Sequence, residues 1–254
     1  MTNQAATAEL EQRRAILYMA WGERHLAEGV RAAAESRLPP YPVFIITDEI
    51  TAAPDDLGAA QLIRAPIGDA GKAAKLQLFD LAPKGFDSIL FLDVDTRVLG
   101  DISLGFEKAE QHGMALAQAT HYSLADFRNF RRVMEAEGVP ARGQLLYNSG
   151  VVFFAPGRGD VAEVFALAQE LLRRHPDAPW GDQTYLSLAM EMLGFNPYTL
   201  SSAFNHRAFG ELISGEVKIW HSYRPVPAGL AEMEAGWLYR CENGAPVKAL
   251  EVPT

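Results

Sequence analysis

The chain is short of several things at once, and each shortage removes a class of explanation. Cys241 is the one cysteine among 254 residues, so no intrachain disulfide and no cysteine-rich zinc site can form. That scarcity of thiols suits a reducing compartment, and a cytoplasmic protein is expected. No apolar run reaches membrane-spanning length, and the opening MTNQAATAELEQRR has no basic segment followed by an apolar stretch. No integral membrane segment is therefore expected. Positive charge is also scarce: 23 lysines and arginines stand against 32 acidic residues, a formal net charge of -9. Such a field repels polyanions, and no cluster of Lys or Arg offsets it. Neither nucleic acid nor an anionic lipid surface is an expected partner. A small, highly charged ligand is still admissible, because a local cation can reverse the sign within a site. Internal repeats, low-complexity blocks and heptads are missing, and so is any evident domain boundary.

What remains is an ordinary globular composition, 48% hydrophobic and 22% charged. A chain of this length can bury a large core within one domain over 1–254, with a core of about 15–224 and a loop-like, Pro-, Gly- and Ala-rich tail over 225–254. Ala15 to Ala20 (AILYMA) predicts a strand closed by Trp21-Gly22, after which Leu26, Val30 and Ala33 line one face of a helix. Tyr41 to Thr47 predicts a second buried strand and Gln61 to Arg64 a weaker third. Lys72 to Leu81 has helical spacing, ended by Pro83. Ser88 to Leu92 is an apolar run that delivers Asp93 at its carboxyl end. Further on, the pattern predicts a helix over Ile102 to Gln111, a strand over Met114 to Ala119 and a partly helical insertion over Tyr122 to Glu137. A strand over Ser149 to Ala155 comes next, then a helix capped by Asp160 and running to Arg174. The last elements are a helix over Asp182 to Leu193 and a strand over Val217 to Trp220. Strands alternating with helices imply an α/β fold, with a mainly parallel central sheet flanked by helices.

The central chemical signal is Phe91-Leu92-Asp93-Val94-Asp95-Thr96, two carboxylates one residue apart where a buried strand emerges. In a continuing strand they would point to opposite faces. Past the strand end the backbone can bend, so both can converge on one hard divalent ion, which also binds diphosphate oxygens. The alternative is a pair of solvated loop carboxylates. His221 also comes directly after an apolar strand, with Tyr223 and Arg224 close behind. A mixed carboxylate and imidazole set tilts the choice of ion from Mg2+ towards Mn2+.

Four stretches, in order, resemble the GT-A glycosyltransferases, which are Rossmann-like nucleotide-diphospho-sugar transferases, and especially the family 8-like members. They are FLDVDTRVLGD (Phe91 to Asp101), YNSGVVFF (Tyr147 to Phe154), WGDQTYL (Trp180 to Leu186) and IWHS (Ile219 to Ser222). The resemblance implies a UDP-sugar donor and transfer of a hexose to an acceptor hydroxyl with retention. It implies that Asp93 and Asp95 ligate the metal together with His221. Asp182 and Gln183 would face the transferred sugar, and Asn148 and Ser149 would line the sugar or acceptor side; Asp182, Gln183 and Asn148 are thus the candidate catalytic residues. Ala20, Trp21 and Gly22 would receive the nucleotide, Lys75 would stand beside the donor, and Asp93 would meet it through the metal. Family 8 members usually place a Gly and then Lys-Pro-Trp after the histidine; this chain has His221-Ser222-Tyr223-Arg224-Pro225. Arg224 is the candidate replacement for that lysine, since a guanidinium pairs well with phosphate oxygens.

Each residue also has a plainer reading. Asn148-Ser149-Gly150 can be a turn, Asp182 a helix N-cap, and Lys72 and Lys75 a solvated helix face. Two other functions compete. A haloacid-dehalogenase-like phosphohydrolase also opens with a strand ending in Asp-x-Asp, although usually at the start of the chain. A catalytically silent nucleotide-sugar-binding module would share every residue named above.

Overall fold

The computed structural model describes residues 13–67, 71–176, 181–207, 212–213, 216–230, 233, 236–242 and 245–252. Trp180 of the WGDQTYL stretch lies outside the described residues. The main sheet is built from β1 (Arg14–Met19), β2 (Val43–Thr47), β3 (Ala60–Arg64), β4 (Ser88–Leu92), β6 (Met114–Ser123), β7 (Leu145–Phe154) and β8 (Tyr198–Leu200). A small second sheet holds β5 (Thr96–Val98), β9 (His206–Arg207) and β10 (Ile219–His221). The helices are α1 (Glu23–Glu35), α2 (Leu78–Leu81), α3 (Ser103–His112), α4 (Arg131–Ala136), α5 (Gly159–Arg174) and α6 (Gln183–Leu193).

The main sheet has the order β3-β2-β1-β4-β7-β6-β8. Its pairings are parallel except those of β7 with β4 and with β6, so six of the seven strands run one way. The sequence reason is clearest in β4, where all five residues are buried. Ile89 and Phe91 enter one core layer, while Leu90 and Leu92 enter the other. A strand covered by helices on both faces needs this unbroken apolar run. Burying each such side chain contributes about 1.5–3 kcal/mol.

The strand order reverses between β1 and β4, since the chain leaves β1 towards β2 and returns on the other side. At such a switch point the loops after adjacent parallel strands diverge and leave a crevice at their carboxyl ends. The two loops here are Ala20–Gly22 and Asp93–Asp95. Helix α1 packs beside them, and at Gly29 a Cβ would stand 3.4 Å from Val94 Cγ1.

Several elements differ from the sequence expectation. The stretch expected as one helix winds as a 3-10 helix over Gly71–Gln77 before the single α-turn of α2. Tertiary bonds override propensity there: Gln169 Nε2 donates to the Leu76 carbonyl at 2.9 Å, and Lys75 is drawn into ion pairs with Asp93 and Asp182. Asp160 is not the cap of α5. Arg158 holds that position, and Asp160 lies in the first turn, paired with the Arg158 guanidinium at 2.5 Å. A carboxylate there complements the helix dipole. The tail expected as loop carries an antiparallel hairpin, β11 (Trp237–Glu242) with β12 (Ala245–Glu251). Its Tyr239 joins Ile213, Val217, Trp220 and Leu230 in a third apolar cluster behind β10.

Candidate metal and donor site

The bend that brings Asp93 and Asp95 together is held by backbone bonds. The Asp93 amide donates to the Gly150 carbonyl of β7 at 2.8 Å, and both the amide and hydroxyl of Thr96 donate back to the Asp93 carbonyl. The strand thus stops at Leu92 and restarts as β5. His221 arrives because β10 pairs antiparallel with β5, which sets it opposite Thr96. The Ser222 amide then donates to the Asp95 carbonyl at 2.9 Å and locks the two segments together.

One ligand atom from each of Asp93, Asp95 and His221 lies within 4.8 Å of the others. His221 Nε2 stands 3.4 Å from Asp95 Oδ1 and 3.7 Å from Asp93 Oδ2. Both distances exceed those of an ordinary hydrogen bond. Lys75 reaches in from the 3-10 turn and touches both oxygens of Asp93, at 2.7 and 2.8 Å, and Asp182 Oδ2 at 3.1 Å. Ser149 donates its hydroxyl to the same Asp182 oxygen at 2.7 Å.

These contacts shift the ionisable groups. Burial pushes Lys75 down, but Asp182 and then Asp93 overcome it and raise its pKa well above the ordinary value. Burial pushes the Asp182 carboxyl up, while Lys75 and the Ser149 hydroxyl hold it below the usual carboxylate range. Asp95 is likewise lowered, burial being outweighed by the His221 ring and then Lys75. Three carboxylates and one ammonium leave the cluster with two negative charges. One divalent cation balances that charge, and the oxygen and imidazole donors are of the kind such an ion takes.

Gly150 forms the floor beneath these groups. A Cβ there would overlap the His221 ring and stand 2.7 Å from Asp93 Oδ2. Asn148 is buried, and its Oδ1 accepts from the Gly150 amide and from Asn205 Nδ2, both at 2.9 Å. Asn205 Oδ1 in turn meets His221 Nδ1 at 2.7 Å. The sequence carries no signal for Asn205: it lies in a short polar stretch, and only the pairing of β9 with β10 brings it beside His221.

The remaining candidates take different places. Ala20 is buried in the core, its amide donating to the Ile46 carbonyl at 2.9 Å, and Trp21 is half-buried against the opposite layer. Gly22 sits at the start of α1 with φ of 78°, and its amide donates to Thr51 Oγ1 at 2.7 Å. Gln183 lines a cavity of about 380 Å3 together with His121, Tyr122, Phe127, Asn205 and Arg207. Arg224 is exposed; its amide is bound by Ser222 Oγ and its carbonyl by Trp220 Nε1, while among the described residues no hydrogen bond or ion pair fixes the guanidinium in the crevice.

The chain has the GT-A glycosyltransferase fold. The galactosyltransferase LgtC, in complex with donor and acceptor sugar analogs, superposes with a TM-score of 0.61 at 15% identity, covering 84% of this chain and 88% of that one. Mouse xyloside xylosyltransferase 1, in its apo form, gives 0.57 at 15% identity, with coverage of 84% and 99%. The glycosyltransferase GlyE of Streptococcus pneumoniae TIGR4 gives 0.55 at 17% identity, with coverage of 84% and 55%. At these identities the likeness shows the fold and no particular family within it. No family model and no curated protein sequence matches the chain. Among the described residues no helix is long and apolar enough to cross a membrane.

Proposed function

We propose that the protein is a metal-dependent glycosyltransferase that moves a hexose from a UDP-sugar to an acceptor hydroxyl with retention. The observation that carries this reading is the convergence of Asp93, Asp95 and His221 within 4.8 Å at the carboxyl ends of the sheet strands. Two negative charges beside a crevice would repel a diphosphate, so the site makes sense for that ligand only with a cation between them. A divalent ion bound there, Mn2+ before Mg2+ on its mixed donors, supplies Lewis-acid stabilisation to the departing diphosphate. The nucleotide lies against Ala20, Trp21 and the open start of α1, where backbone N–H groups favour anions. Arg224 swings from the surface to pair with the diphosphate.

On the sugar side, Lys75, Ser149 and Asp182 form a rigid polar wall. Asp182 is a poor general base, because its carboxyl is buried, lowered in pKa and engaged by two donors. Retention fits that state: the bond from the anomeric carbon to the diphosphate breaks, the acceptor oxygen takes the same face, and its proton passes to the departing phosphate oxygen. The acceptor enters through the cavity lined by Gln183, where His121, Tyr122 and Phe127 offer rings for a sugar face.

Release of UDP from a panel of UDP-hexoses tests this reading. It is expected to require Mn2+, to stop with a chelator, and to quicken with a suitable sugar acceptor. Phosphate release from simple phosphoesters, with no need of a sugar nucleotide, would instead support the phosphohydrolase. Tight donor binding without any turnover would support the silent module.

A further inference from the structure

The buried amides beside His221 form a chain whose hydrogen-bond directions can be read from one fixed end. That end is the Gly150 backbone N–H, which can only donate. The atom of Asn148 that receives it, at 2.9 Å, must therefore be the carbonyl oxygen Oδ1. The group of Asn205 that meets the same Oδ1 at 2.9 Å must then be a donor, its Nδ2. Asn205 has only its oxygen left for His221, so the contact at 2.7 Å requires a proton on Nδ1. Side-chain amides and imidazoles are often ambiguous in orientation, but a backbone donor at the end of a chain removes the ambiguity.

We propose that Asn205, oriented by Asn148, is a positioning residue that fixes the tautomer of His221, with the proton on Nδ1 and the lone pair of Nε2 aimed at Asp93 and Asp95. The inference rests on the metal-site reading for its purpose, because a neutral imidazole ligates through the nitrogen that carries no proton. Without Asn205, neutral His221 takes its commoner tautomer. It then places an Nε2–H where the cation must sit, on the side of the Asp95 carboxylate 3.4 Å away. The amide chain therefore keeps that proton out of the site. All three residues are buried.

The test uses the metal-free full chain with isotope-labelled histidine at about pH 9, well above the ordinary imidazole range. Nitrogen chemical shifts then report which ring atom bears the proton. In the wild type His221 is expected to carry it on Nδ1. Asn205→Asp still offers Nδ1–H an acceptor and is expected to keep that tautomer. Asn205→Leu, of similar size, is expected to lose it and to bind Mn2+ about 10–100-fold more weakly by calorimetry. A wild-type proton on Nε2 would overturn the proposal, as would Asn205→Leu with an unchanged tautomer. If the wild type shows the Nδ1 proton and Asn205→Leu loses it, while no form binds Mn2+, the tautomer control stands and the metal reading falls.

Discussion

Asp95→Ala is expected to abolish Mn2+-assisted binding of UDP while leaving the fold intact. The Asp95 side chain supplies one of the two anionic oxygens facing His221 Nε2, whereas its backbone carbonyl anchors Ser222 and survives the substitution. Partners that only orient a metal ligand cost 10–100-fold in affinity when removed, so losing a charged ligand outright should cost at least about 100-fold. The metal-free variant should melt slightly below the wild type, because His221 and Lys75 hold the Asp95 carboxyl below its usual range and that contribution to stability is lost with it. In a thermal melt, UDP with Mn2+ at about 100 times its dissociation constant stabilises the wild type by about 2.7 kcal/mol, and that gain should vanish in the variant. A shift like that of the wild type would remove Asp95 from the site.

Gly150→Ala should have an effect as large by a different route. The new methyl would meet Asp93 Oδ2 at 2.7 Å and His221 Nε2 at 2.9 Å, well inside van der Waals contact. Neither neighbour can withdraw easily. Asp93 is tied to the Gly150 carbonyl through its own amide, and His221 is held by Asn205 and by the β5–β10 pairing. Overpacking of this kind costs about 1–3 kcal/mol, and each kcal/mol lowers the melting temperature of a chain this size by about 2–4 °C. The Asp93–His221 gap is filled in the process, so Mn2+-dependent UDP binding should be lost. Gly157→Ala is the matched control, since nothing lies within 4 Å of a Cβ there, and it should change neither quantity. Wild-type melting and Mn2+ binding in Gly150→Ala would mean that β7 does not floor the site.

The parts of this arrangement legible in the sequence are those set by local pattern. Ser88 to Leu92 reads as a doubly covered strand because of its apolar run, and a strand of that kind delivers the next residues to the ligand-binding end of a parallel sheet. Asp93 and His221 are visible for the same reason. Asp182 does occupy the N-cap position of α6, yet its side chain makes no capping bond there. Its carboxylate is engaged by Lys75 and Ser149, partners distant in sequence that no N-cap pattern reveals. Lys75 points into the site because its segment winds as a 3-10 helix, a choice dictated by tertiary contacts and not by spacing. Asn205 is invisible for a related reason, since its role depends on two-residue β9 pairing beside β10. The C-terminal hairpin has a local mark, the Asn243-Gly244 pair between β11 and β12, a sequence that favours tight hairpin turns. The surrounding Pro, Gly and Ala content hides it.

The convergence of three ligands on one ion is tested most directly by anomalous diffraction from crystals grown with Mn2+ and UDP. The account predicts a single strong anomalous peak bounded by Asp93, Asp95 and Nε2 of His221, with the diphosphate oxygens completing its surroundings. A peak elsewhere, or UDP bound in the crevice with no ion between it and those three side chains, would contradict it.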